Sequence, residues 1–191
     1  MGYDFVDDII HVGFGLVMRD GKKMSTRKGG VVTLYEVLQE AIKLSYEAIE
    51  TKNPSLENKE EVAKAIGVGA VMFNDLKNHR NLDIEFDLNQ MVKFEGQTGP
   101  YLQYTGVRIA SILRDNTYDI NNVRKDVFLK DQYYEIVKLL SQFKTTILKS
   151  IEDYAPSVIA KYLLSLAQAF NKFYATEKIN APVPEIKNAN M

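Results

Sequence analysis

From His11 to Met18 every second position is apolar: Val12, Phe14, Leu16 and Met18 alternate with Gly13, Gly15 and Val17. A period of two places successive side chains on opposite faces, so this segment predicts a strand that ends at Asp20-Gly21. Beyond residue 33 the period lengthens. Leu34, Leu38, Ala41 or Ile42, Ser45 and Ile49 recur every three to four residues and predict a helix from about 34 to 50. Thr33 and Glu36 form a capping-box signature at its start, and Asn53-Pro54 stops it because the residue before proline avoids helical angles. A second helix is predicted from Asn58, paired with Glu61 as another capping signature, to about Asn78, with Val62, Ile66, Gly69, Phe73 and Leu76 along its apolar side. Gly67 and Gly69 lie inside it, where each costs roughly 1 kcal/mol against alanine, so a close helix–helix approach is expected to offset them.

The next segments are shorter. Asp83 to Asp87 alternates polar and apolar residues, and Met91, Val92 and Phe94 suggest one helical turn before a boundary at Gly99-Pro100. Two long amphipathic helices follow. One runs from about Lys130 to Ile151 with Val137, Leu140, Lys144, Ile147 and Ile151 on one side; the other runs from Pro156 to about Lys178 with Ile159, Leu163, Leu166, Phe170 and Phe173. Pro156 suits a first helical position, and the four-three spacing after it is that of a bundle helix. The tail from Ala181 to Met191 reads as frayed.

The helix opening at Pro100 carries two kinds of residue. A step of ~100° per residue brings Tyr101, Tyr104 and Arg108 within about a 60° sector, while Leu102, Gly106, Ile109 and Leu113 form a separate apolar stripe. Aromatic rings and a guanidinium plane on one flank are the groups on which proteins stack unpaired single-stranded RNA bases. The same spacing also fits two half-buried packing tyrosines, and periodicity does not separate the two readings.

Composition narrows the classes without choosing among them. The chain has 191 residues, 46% of them hydrophobic and 10% aromatic, which suits a globular protein with one large or two small cores. A net charge of -1 supplies no general cationic field, so any RNA contact must come from local clusters and stacking. With no cysteine and only His11 and His79 as imidazoles, no disulfide, thiolate metal site or structural zinc is expected. No apolar run approaches the ~20 residues of a membrane span and the first residues lack a signal peptide's basic head, so a cytoplasmic address is expected. Lys22, Lys23, Arg27 and Lys28 lie in a loop flanked by Gly29-Gly30; read alone, such a loop is a solvated surface feature.

Taken together, FEGQTGPYLQYTGVRIASIL from Phe94, Gly67-Val68-Gly69-Ala70-Val71-Met72-Phe73 and Lys23-Met24-Ser25-Thr26-Arg27 resemble arginyl-tRNA synthetase in order and distance over nearly the whole chain. The resemblance implies a mainly α fold: the end of a class I α/β catalytic domain over residues 1–33, connecting stem-contact helices over 34–93, and an anticodon-binding helical bundle over 94–191 that lacks its last helix. It implies that Lys23, Met24, Ser25, Thr26 and Arg27 are a KMSKS-like loop touching the ATP triphosphate. Thr26 stands where the motif has its second lysine, and Arg27 or Lys28 is within reach of the same phosphates. Closure of such a loop stabilises charge that builds as pyrophosphate departs.

By the same resemblance Tyr101, Tyr104 and Arg108 support flipped anticodon bases and grip a phosphate. Lys77, Asn78, His79 and Arg80 are a weaker tRNA candidate patch, for which a solvated polar loop is an equal alternative. His11-Val12-Gly13-Phe14 is not the HIGH signature, since it lies inside an alternating strand just before the KMSKS-like loop. The implied partners are the arginine tRNA, arginine, ATP and magnesium, all of the full-length enzyme; this segment is not expected to aminoacylate alone. A missing last helix would leave the stripe of the 156–178 helix partly uncovered and favour self-association. The residues also allow a stand-alone RNA-binding module or a helical domain that docks a protein partner.

Overall fold

The computed structural model describes residues 2–19, 21–23 and 33–191. Met24, Ser25, Thr26 and Arg27 of the KMSKS-like loop lie outside the described residues; Lys23 is the last residue before them.

The expected strand is shorter than its alternating pattern. β1 (Val17–Arg19) pairs antiparallel with β2 (Lys22–Lys23), Met18 opposite Lys23, and parallel with β3 (Ile84–Glu85), Val17 opposite Ile84. The extended chain before β1 is held by main-chain bonds instead of a regular ladder: Gly15 N donates to the Arg80 carbonyl at 2.6 Å, and the Leu16 carbonyl accepts from Ile84 N at 2.8 Å. The sheet order β2-β1-β3 thus ties the first residues to the segment around residues 80–86.

Two helices of this half pack against each other. α1 (Leu34–Lys52) begins with the predicted capping box, Thr33 Oγ1 accepting from Glu36 N while the Glu36 carboxylate accepts from Thr33 N at 2.7 Å. Those bonds from Thr33 hold the Glu36 carboxyl below its ordinary range. Its buried side is Val37, Ala41, Ser45 and Ile49. Leu34, expected inside, is 67% exposed, because the stripe starts one turn later.

α2 (Lys59–Lys77) differs from expectation in two respects. Asn58 adopts a left-handed backbone, φ 56°, and makes no side-chain cap bond, so the predicted capping pair with Glu61 does not form. The buried side is also not the large-residue stripe, since Leu76 is exposed and Ala63, Gly67 and Ala70 go inward. Small residues let the α1 and α2 backbones approach closely. A Cβ on Gly67 would lie 2.7 Å from main-chain atoms of Ala41 and Ile42. The glycines that disfavour the helix locally are therefore where it packs.

After the single turn α3 (Leu88–Met91) the chain enters α4 (Gly99–Asp115) through Thr98, whose hydroxyl accepts from Tyr101 N at 3.2 Å. Here too backbone meets backbone: a Cβ on Gly99 would sit 2.7 Å from the Gly69 carbonyl oxygen. On α4 the expected apolar stripe is only partly inside. Leu102 and Ile109 are half-buried, Gly106 and Leu113 are exposed, and the fully buried positions are Gly99, Pro100 and Thr105.

The expected 130–151 helix is broken into α5 (Asp131–Ser141) and α6 (Phe143–Glu152). Gln142 N turns to the Leu139 carbonyl, and the hydroxyls of Thr145 and Thr146 both donate to the Gln142 carbonyl at 2.9 and 2.8 Å. Hydroxyl groups back-bonding to the preceding turn bend helices. The two halves then lie against different stretches of α7 (Pro156–Thr176): Tyr133 of α5 meets Phe173 edge-on at 4.9 Å, and Phe143 of α6 meets Tyr162 at 6.1 Å.

α7 is the central helix of this half. Ser157, Ala160, Leu164 and Ala167 are buried together with Tyr162, Ala169 and Phe173, so its interior wraps around more than one stripe; of the predicted set, Leu163 is exposed and Phe173 is inside. The expected stripe is partly uncovered: Leu163 is 39% exposed and Ile159, Leu166 and Phe170 are half-buried. A more exposed apolar face lies on α5–α6, where Val137, Leu140, Leu148 and Ile151 are exposed.

The tail is not frayed. α8 (Pro184–Asn190) docks through Ile186, Ala189 and Met191 on the cluster of Val127, Tyr133, Phe173 and Ile179. Tyr133 Oη donates to Asn190 Oδ1 at 2.5 Å, and Asn188 Nδ2 donates to the Asn122 carbonyl at 2.7 Å. No described helix is long and apolar enough to cross a membrane. Among the described residues no group of three His, Cys, Asp or Glu comes together.

Candidate nucleic-acid interface

The ring-bearing flank of α4 faces α7, and the two helices share a polar seam. Thr105 Oγ1 spends its proton on the Tyr101 carbonyl one turn back, at 2.9 Å. Asn171 of α7 then donates from Nδ2 to Thr105 Oγ1 at 2.8 Å and to Tyr101 Oη at 2.9 Å. Its Oδ1 accepts from Arg108 Nη1 at 2.6 Å. Tyr101 is therefore half-buried and tied down, one of the two outcomes that spacing left open.

Arg108 is also more constrained than a free phosphate grip. Its Cζ lies 4.8 Å from the Tyr104 ring centroid and 4.6 Å from that of Tyr174, and its Nη2 donates to Tyr104 Oη at 3.2 Å. A guanidinium between two aromatic faces is attracted to both ring quadrupoles. Tyr104 nevertheless remains 50% exposed, so ring surface is left for a further stacking partner. It borders an apolar groove of about 1070 Å³ between α1, α2 and α4, whose walls include Ile49, Ile66 and Val107. Lys52 stands at that groove with its Nζ 5.0 Å from the Phe94 ring.

Tyr101, Tyr104 and Arg108 share one flank as their spacing predicts, while Asn171 and Tyr174, which the spacing on α4 does not reveal, join them from α7. The available signal is their i, i+3 spacing on α7, bracketing Phe173.

The second candidate patch does not form a free cationic surface. Arg80 Nη1 donates to the carbonyls of Asp153 and Tyr154 at 2.7 and 3.0 Å, capping the C-terminal end of α6 where Tyr154 takes a left-handed φ of 48°. Its main-chain carbonyl meanwhile holds Gly15 N. Arg80 thus joins the segment before β1 to the α6–α7 corner. Lys77 Nζ donates to the Gln97 carbonyl at 2.9 Å, and burial lowers its pKa from the ordinary lysine value. His79 Nδ1 accepts from Asn81 N at 3.3 Å, closing a local turn. The four weaker candidates lie on one stretch, yet Lys77, Asn78 and Arg80 point their donors at main-chain carbonyls of the protein itself.

Residues 1–88 match the family described as tRNA synthetases class I (R), catalytic domain, and residues 102–190 match the DALR anticodon binding domain. The arginine–tRNA ligase of Lactococcus lactis subsp. lactis (strain IL1403) is 55% identical over 180 residues, which are 93% of this chain and 32% of that protein. That of Latilactobacillus sakei subsp. sakei (strain 23K) is 50% identical over 181 residues, 95% of this chain and 32% of its own length. The chain belongs to the arginyl-tRNA synthetase family. A solved arginyl-tRNA synthetase, from Thermus thermophilus, superposes with a TM-score of 0.81 at 29% identity, covering 94% of this chain and 31% of the other. Within this synthetase family the chain spans about a third of the length of the curated relatives it matches. The described helices from α4 onward are the DALR portion, and β1–β3 with α1 and α2 fall in the catalytic-domain match.

Proposed function

We propose that this chain supplies the anticodon-binding surface and the KMSKS-like loop of an arginine–tRNA ligase, an enzyme that joins arginine to its tRNA with ATP and magnesium in the cytoplasm. The single observation that carries the RNA reading is the half-exposed Tyr104 ring, backed by Arg108 and open to the groove beside it. An unpaired base stacked there would rest on a ring whose position is already fixed. Each base–aromatic stack contributes ~1–3 kcal/mol, so one free ring and one partly tied ring suit micromolar affinity for this segment alone.

In this reading Tyr101 and Arg108 act mainly by shaping the platform, and Tyr104 meets the base. Lys23, Met24, Ser25, Thr26 and Arg27 would meet the ATP phosphates in the full-length enzyme, with Arg27 or Lys28 standing in for the lysine replaced by Thr26. Titration of an arginine tRNA transcript into Tyr104→Ala tests the RNA assignment. A loss of about fivefold or more is expected, at the lower end of the stacking range; an unchanged affinity with an intact fold would refute the role of the ring.

A further inference from the structure

We infer that Asn171 is the positioning residue of this RNA-contacting stack, an inference that rests on the proposed anticodon role of α4. Its carboxamide faces three groups whose needs differ. Arg108 can only donate, so it requires an acceptor. Thr105 Oγ1 has given its proton to the Tyr101 carbonyl and presents lone pairs, so it requires a donor. Tyr101 Oη takes the second amide proton at 2.9 Å.

Only a side chain with an acceptor on one end and two donors on the other meets all three at once, as the Asn171 carboxamide does. This requirement also fixes the amide orientation: Oδ1 toward the guanidinium at 2.6 Å, Nδ2 toward Thr105 at 2.8 Å. Leucine would fill the volume and satisfy none of the three. Aspartate would keep the acceptor for Arg108 and lose both donations.

The consequence reaches the exposed ring through Arg108. One guanidinium nitrogen is anchored on Asn171 and the other on Tyr104 Oη, so the amide sets where the cation lies between the Tyr104 and Tyr174 rings. Released from Asn171, Arg108 would swing among solvent-facing rotamers, and Tyr104 would lose its backing. Affinity would then fall through lost preorganisation, although Asn171 itself touches no RNA.

The test uses the 191-residue chain and the anticodon stem–loop of an arginine tRNA as probe. Side-chain NMR of Arg108 reports whether the guanidinium still lies between two rings, and a binding titration is run at a temperature where every variant is folded. For Asn171→Leu the ring-current shifts of Arg108 should collapse and affinity should fall about three- to tenfold, the scale of one charge-assisted hydrogen bond. Asn171→Asp, which protects the test should the leucine variant not fold, should keep the Arg108 signature. Its affinity should stay within about twofold of the parent once salt screens the added charge.

Unchanged Arg108 shifts in Asn171→Leu, or collapsed shifts with unchanged affinity, would overturn the positioning role while a loss in Tyr104→Ala keeps the RNA reading intact. Should Tyr104→Ala also bind normally, the anticodon assignment itself fails and takes this inference with it. A collapse of the Arg108 signature in Asn171→Asp equal to that in Asn171→Leu would likewise contradict the acceptor role.

Discussion

Two regions of the molecule hold arginines that looked alike in the sequence, and the structure uses them in opposite ways. In the half of the chain that holds Arg80 the architecture is built from backbone: its guanidinium ends on two main-chain carbonyls, its own carbonyl holds Gly15, and earlier on α2 Gly67 lets the α1 and α2 backbones touch. Around Arg108 it is built from side chains, with an asparagine and two tyrosine rings enclosing the cation and one ring left half outside. Donors spent on main-chain carbonyls hold elements together and leave nothing for a ligand. Donors spent on other side chains build a shaped surface that a ligand can still reach.

That contrast is broken most violently at Gly67. Gly67→Val forces branched atoms against the Ala41–Ile42 backbone, and a loss on the order of 3 kcal/mol or more is expected in urea unfolding. A loss under about 1 kcal/mol would mean that α1 and α2 separate freely and that the backbone-built region is not as described. Arg80→Ala comes next, with about 1–2 kcal/mol expected. The cost of losing two carbonyl bonds is offset in part because Nε is buried without a hydrogen-bond partner. Its RNA affinity should stay at the parent level, and a selective loss of tRNA binding without destabilisation would return residues 77–80 to the interface.

How far the sequence reveals this contrast depends on which atoms carry it. Helix positions, the Thr33 capping box, the stop at Asn53-Pro54 and the close packing at Gly67 and Gly69 are legible because periodicity, caps and glycine costs are local. The break at Gln142 is not, since it arises from threonine hydroxyls and from two different docking stretches on α7, with no proline or glycine to signal it. Asn58 likewise carries a capping pattern but takes a left-handed backbone. For the site, one-helix spacing groups Tyr101, Tyr104 and Arg108, whereas Asn171 and Tyr174 join them only through the α4–α7 crossing. The fate of Arg80 depends on a partner 73 residues away, which no local pattern encodes.

A smaller effect concerns pH and the docking of the tail. Burial, then the charge and hydrogen bond of Glu177, push Tyr133 up to about 12. Tyrosine ionises near 10 in the unfolded chain, so the folded state holds this proton more tightly. Its contribution is fully present below about pH 10 and is lost as pH rises through the folded value. The thermal midpoint should therefore decline across that alkaline window, and Tyr133→Phe should flatten the decline; an unchanged slope would show that Tyr133 does not titrate with unfolding.

The smallest effect on stability is expected at the uncovered α5–α6 face. Ile151 is 64% exposed, so Ile151→Lys should change stability by no more than about 0.5 kcal/mol. Light scattering should show less self-association in that variant than in the parent at high concentration. A parent that stays monomeric throughout would argue that this face does not bind a second copy.

Mapping the RNA contact residue by residue tests the central claim most directly. On adding the anticodon stem–loop of an arginine tRNA to isotope-labelled protein, the account predicts shifts concentrated at Tyr104, Val107 and Arg108, with Lys77 to Arg80 left in place. Shifts centred on Lys77 to Arg80 with α4 silent would contradict it.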